Sequence, residues 1–236
     1  MNRKVDLKTY ERKIDEEGLV WETKGELGKA LQVYDRLLTE VDAIPTKSQP
    51  EASEKDAIVA YLILRKAGIL MQTGDLGSGE HLMQEALRHA ERSGNPTAIG
   101  RARLGIGVFY GTTNKFEESE KFLAEALASF SKCDDYDSKQ SAGWALLNLG
   151  GLFIKQGKLS QSKEKLDEAI NLLKSIGNWV GVASAFELKA KYDAAMGDSA
   201  SALEDLQKAI MFYEKQGMKE KADSLRKNTK NVSNQG

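Results

Sequence analysis

The chain has 236 residues, 41% hydrophobic and 29% charged, which supplies enough apolar surface for a continuous core and argues against a disordered chain. Its 34 Lys and Arg nearly cancel 35 Asp and Glu, so no global field gathers nucleic acid or an anionic membrane. Only three prolines occur, and Ala, Leu, Glu and Lys outnumber Val and Thr, which favours helix over sheet.

Residues 1–8 lack the apolar core of a signal peptide, and the longest apolar run, residues 57–64, is far too short to span a bilayer. The single Cys133 cannot form an internal disulfide. Together these features predict a cytoplasmic protein with no membrane partner.

In chain order, the same arrangement of side chains recurs five times, each time around a turn residue: Gly25, Gly74, Asn114, Gly157 and Gly197. Five residues after each comes Ala30, Gly79, Ser119, Ser162 or Ala202, and nine after it Tyr34, Met83, Leu123, Leu166 or Leu206. Twelve and thirteen after lie Leu37-Leu38, Ala86-Leu87, Ala126-Leu127, Ala169-Ile170 and Ala209-Ile210. These steps trace one apolar face of a helix. Seven before each turn a small residue stands on the preceding helix: Gly18, Ala67, Gly107, Gly150 and Ala190. A bulky neighbour follows at four before, Trp21, Leu70, Tyr110 or Phe153, except in the fifth unit, where Asp193 takes that place. Small residues let two helix backbones approach, and the bulky neighbour fills the groove beside them.

The turns lie 49, 40, 43 and 40 residues apart, and a second punctuation follows each by 20, at Pro45, Gly94, Asp134, Gly177 and Gly217. Each unit is therefore predicted to be a helical hairpin, with units at 6–45, 52–94, 95–134, 138–177 and 178–217, a capping helix at 218–230 and a frayed tail at 231–236. Asn95, Asp134 and Asn178 are expected to cap the helices that follow them. The longer intervals predict a loop at 43–53, around Pro45 and Pro50, and extra residues at 133–138. One solenoid domain follows, because such units bury their apolar faces only against neighbours.

The string Gly157-Lys-Leu, Ser162, Leu166, Ala169-Ile170, preceded by Leu149-Gly150 and Phe153, resembles a tetratricopeptide repeat (TPR). The resemblance covers roughly residues 6–230 and is to the longer kind, of about 40 residues, found in kinesin light chains and in peptide-sensing bacterial regulators. Gly74-Asp75 and Gly197-Asp198 match the family's turn, whereas Lys66, Arg103 and Lys189 occupy first-helix positions where it prefers apolar side chains. The resemblance implies an all-α, right-handed superhelix of about five hairpins plus a C-terminal cap, with the first helices lining its concave side. On that alignment the inward positions include Tyr61, Leu64, Arg65, Met71, Leu104, Val108, Trp144, Leu147, Asn148 and Ile154. Such a groove suits an apolar or amphipathic protein or peptide segment, with Arg65 and Asn148 fixing its orientation. Equally, these residues can simply pack first helix against first helix. The family's clamp for a terminal carboxylate is not expected, since Asn148 alone matches it and Leu104, Val108, Ser184 and Leu188 stand where its cations would be.

No constellation for catalysis, cofactor or metal emerges. His81 and His89 are eight residues apart, roughly 12 Å along one helix, too far to share an ion. Cys133 has no histidine near in sequence. Residues 105–111 carry glycines with the wrong spacing and no preceding strand for a dinucleotide loop, and Asp134, Asp135 and Asp137 lack the glycine and glutamate of a calcium loop. The reading is a non-enzymatic scaffold or adaptor that binds a protein or peptide. A peptide-responsive signalling or transcription-regulatory sensor and a homo-oligomerising scaffold are the alternatives.

Overall fold

A computed structural model describes residues 8–233, and every regular element in them is helical. The chain opens with α1 (Lys8–Lys13), a π-helical segment (Ile14–Leu19) and α2 (Val20–Thr23), joined through right-handed helical residues. There follow α3 (Leu27–Asp42), α4 (Gln49–Gln72), α5 (Leu76–Ser93) and α6 (Pro96–Thr112). Then come α7 (Phe116–Phe130), α8 (Tyr136–Lys155), α9 (Leu159–Ser175), α10 (Trp179–Ala195), α11 (Ser199–Lys215) and α12 (Lys219–Ser233). The described residues form two compact units that divide between Thr112 and Thr113.

The backbone is left-handed at each of the five turn residues. Gly25, Gly74, Gly157 and Gly197 have φ of 72°, 88°, 70° and 79°, and Asn114, at 61°, is the one non-glycine with positive φ among the described residues. Asparagine tolerates this region better than other residues with a Cβ. At four of the turns the same bond closes the first helix: Glu26, Asp75, Lys158 and Asp198 each donate a backbone N–H to the carbonyl of Trp21, Leu70, Phe153 and Asp193, all at 2.9 Å. This is the six-to-one bond of a Schellman motif.

Helix starts refine the sequence reading. Asn95 accepts from the N–H of Thr97 and Ala98, and Asn178 from that of Gly181. At α8 the cap is Asp135, which accepts from Ser138, rather than the predicted Asp134, which instead pairs with Lys139 at the surface. The predicted loop at 43–53 is shorter than expected. Ser48 caps α4 and Pro50 sits in its first turn, where a missing N–H costs nothing. Likewise Tyr136 and Ser138 already belong to α8. At the other end α12 runs through 231–233, which were expected to fray, while the rest of that tail and residues 1–7 lie outside the described residues.

The predicted small residues Gly18, Ala67, Gly107, Gly150 and Ala190 are all buried. In the first unit, Gly18 lies in the π-helical turn against the Tyr34 ring, where a Cβ would come within 2.1 Å of ring carbon. In the second, Leu166 packs on Gly150, and Ser162 Oγ donates to the Gly150 carbonyl at 2.9 Å. Leu173 inserts between Gly143 on α8 and Gly181 on α10. The cap contributes too: Ala222 and Leu225 complete a core shared with Tyr213 and Ile210. At the position nine after the turn, Tyr34, Met83, Leu123 and Leu166 are buried and the fifth residue departs from the pattern. Leu206 is half-buried, and its neighbour Asp205 is turned inward in its place.

Candidate protein-binding surface

First helices touch one another directly within each unit, α4 against α6 and α8 against α10. In the first unit, Tyr61, Leu64, Arg65 and Met71 on α4 and Leu104 and Val108 on α6 are all half-buried. Leu64 is seated on Gly105 of α6, 3.2 Å from where a Cβ would stand. Beside it, the Arg101 guanidinium lies 5.0 Å from the centre of the Tyr61 ring, within range of a cation–π attraction. The Tyr61 hydroxyl donates to Asp15 at 3.4 Å, and burial pushes its pKa up. The Met71 stem lies on Gly79 of α5, inside its own hairpin.

Arg65 is not available to orient a ligand as expected. Its Nε donates to Glu22 Oε1 at 3.0 Å, its Nη2 bonds the other Glu22 oxygen, and the Tyr34 hydroxyl donates to the same carboxylate. Burial would lower the Arg65 pKa, but the bond to Glu22 and its charge raise it instead. Burial also drives the Tyr34 hydroxyl well up, helped by its bond to Glu22. Arg65 is therefore a strut, held by a bidentate pair whose fixed geometry ties the first hairpin to α4.

In the second unit the predicted residues separate. Trp144, Asn148 and Ile154 are half-buried, whereas Leu147 is 2% exposed and belongs to the core with Val182 and Phe186 of α10. At Leu147 the packing alternative holds. Asn148 Nδ2 donates to the Trp144 carbonyl at 2.8 Å, which leaves its amide oxygen as the group able to meet a partner. Leu188 of α10 rests on Gly151 and extends the same apolar seam. Sequence reasoning missed Arg101, Glu22 and Asp15. No repeat position marks them, because each acts through a partner far away in the chain.

Of the two histidines considered for other chemistry, His89 has a structural role. His89 Nδ1 lies 2.6 Å from Asp56 Oδ1, linking α5 to α4, and Arg92 joins the same carboxylate at 3.0 Å. The glycines of 105–111 lie along α6, with Gly107 buried. Cys133 is half-buried between α7 and α8. No cluster of three or more His, Cys, Asp or Glu among the described residues could hold a metal ion, and no described helix is long and apolar enough to cross a membrane.

No family model and no curated protein matches the sequence. Solved structures do. A putative kinesin light chain from Podosopora anserina, with nearly identical TPR-like repeats, superposes with a TM-score of 0.58 at 12% identity, covering 88% of this chain and 96% of that one. The fold is tetratricopeptide-like. Aspartyl phosphate phosphatase F from Bacillus subtilis aligns with a TM-score of 0.64 at 13% identity over 98% of this chain, which spans 61% of that protein's length. A Rap protein complexed with Competence and Sporulation Factor aligns with a TM-score of 0.52 at 15% identity, covering 92% of this chain and 73% of that one. At these identities the likeness is one of fold.

Proposed function

We propose that the chain is a non-enzymatic interaction module that takes an apolar or amphipathic protein segment on its first helices. The observation that carries this reading is that each unit has its own seam of half-buried apolar side chains on neighbouring first helices: Tyr61, Leu64, Leu104 and Val108 in one, and Trp144, Ile154 and Leu188 in the other. Side chains that retain part of their exposure still have apolar area to bury, and aromatic groups with a neighbouring guanidinium are favoured at energetic centres of interfaces. Arg101 over Tyr61 and the free amide oxygen of Asn148 are the polar groups that would set orientation.

The test is capture of amphipathic segments from a displayed library by wild type, Leu104→Glu and Trp144→Ala. Binding should fall in both variants while circular dichroism stays helical. Unchanged capture by both would refute the assignment. Leu147→Glu serves as the contrast, because it places a charge in the core and should unfold the chain.

The alignment with a Rap protein bound to Competence and Sporulation Factor favours a second reading, in which the segment is a short peptide and its binding changes the arrangement of the helices. Small-angle scattering separates the two readings. Compaction on adding a captured peptide supports a sensor, and an unchanged profile supports a passive scaffold.

A further inference from the structure

Lys189 on α10 stands between two carboxylates. Its Nζ is 2.8 Å from Asp205 Oδ2 on α11 and 3.8 Å from Asp193 Oδ2, one turn along its own helix. Asp205 is 2% exposed and accepts a second bond from Lys208, at 2.9 Å. Asp193 is 6% exposed, and its Oδ2 is buried with no hydrogen bond. A buried carboxylate oxygen without a hydrogen bond is costly and rare.

The repeat sharpens the anomaly. Asp193 stands where the other hairpins place Trp21, Leu70, Tyr110 and Phe153. Asp205, eight after its turn, stands where three of them place Val33, Leu82 and Phe122. An ionic cluster has thus replaced apolar filling in one hairpin.

The surrounding charges do not balance Asp193. Lys189 is committed to Asp205 at the shorter distance, and Asp167 on α9 adds a further negative charge beside it. Lys208 is shared between Asp205 and Glu204, and Asp198 at the turn adds another acid. On α8, Leu146 and Leu147 belong to the adjoining apolar core, and the last turn of that helix carries the cationic Lys155.

We propose that Asp193 is a built-in proton acceptor, and that its protonation tightens the α10–α11 hairpin. The neutral acid removes a buried charge that only the more distant Lys189 offsets, and supplies an O–H donor near the Asp205 carboxylate.

The two aspartates titrate in different windows. Burial raises the Asp193 pKa, the Lys189 charge opposes it, and the nearby Asp205 and Asp198 charges add to the rise. Burial also pushes the Asp205 carboxyl up, but hydrogen bonds from Lys189 and Lys208 outweigh that and hold it below the usual carboxylate range. A raised folded-state pKa means that ionised Asp193 costs stability once pH rises through it, and that cost disappears on acidification. The Asp205 pairs work in the other direction, stabilising above the unfolded carboxylate pKa and failing as pH drops through the lowered folded value. Stability of this hairpin should therefore peak between the two.

Carbon-13 carboxyl titration of the full chain tests this, with resonances assigned through Asp193→Asn and Asp205→Asn. Asp193 should titrate above the ordinary aspartate value of about 3.9 and Asp205 below it. Amide exchange along α10 and α11 should slow as pH falls through the Asp193 titration seen in the same experiment, after correction for intrinsic exchange, and Asp193→Asn should abolish that dependence. Asp193 titrating at or below the ordinary value, or the same pH dependence in Asp193→Asn, would overturn the proposal. Should that variant fail to fold, the wild-type titration decides alone, with the Asp193 resonance assigned by selective labelling.

Discussion

In the α8–α9 hairpin Leu166 closes over Gly150, Phe153 is buried, and the half-buried Lys165 pairs with the exposed Glu164 and Glu168. In the α10–α11 hairpin the turn has the same left-handed glycine and the same backbone bond, yet Asp193 and Asp205 are buried around Lys189 while Leu206 is only half-buried. Two neighbouring repeats thus share a backbone and differ in the physics of their interiors. The turn and the small residue at the helix crossing dictate the hairpin, and what fills the remaining space can be apolar or ionic. Apolar filling stabilises through area removed from water, whereas ionic filling depends on every charge being paired.

Substitutions can break this comparison. The largest effect should come from Gly150→Leu, since even a Cβ there would meet Leu166 at 2.6 Å. Overpacking of that kind should cost about 3 kcal/mol or more, read by urea denaturation. Ala190→Leu, at the matching position of the fifth hairpin, should be destabilising as well. Lys189→Met should cost about 2 kcal/mol, because it strands Asp193 and leaves Asp205 with Lys208 alone, but removes an ammonium that is partly solvated. Its penalty should shrink in acid as the carboxylates take up protons.

Other changes sharpen the comparison. Converting the fifth interior toward the fourth, with Asp193→Phe and Asp205→Leu together, should stabilise by about 1–2 kcal/mol, as replacement of buried ion clusters by apolar groups often does. A loss of stability from the pair would mean that the cluster is better compensated than its geometry implies. The smallest effects belong to the helix starts. Asp135→Ala at α8 and Asn178→Ala at α10 should each cost about 1 kcal/mol, seen as equal shifts in thermal midpoint, because both caps satisfy one backbone N–H.

The hairpins were legible in the sequence because their determinants are local. A left-handed residue, a small residue seven before it and an apolar stripe after it all fall at fixed offsets. Helix ends were less legible where candidates adjoin, as Asp134 and Asp135 do, or where Pro50 reads as a breaker but serves as a first-turn residue. The binding surface was legible only in part. Its half-buried apolar positions follow the helix period, but Leu147 and Ile154 look alike on paper, and only the approach of α10 buries the former. The role of Arg65 was hidden for a related reason: its partner Glu22 is 43 residues away, and the π-helical turn at Gly18 that admits the Tyr34 ring has no counterpart in the other repeats. Asp193 was visible as a departure from the repeat. Its isolation became apparent only with Lys189 seen bonded to Asp205.

The most direct test of the function is hydrogen exchange of the full chain with and without an amphipathic segment selected on it. First helices as the working surface predict new protection on α4, α6 and α8, centred on Tyr61, Leu104 and Trp144, and its loss in Leu104→Glu. Protection confined to the second helices α5, α7 and α9 would contradict the account.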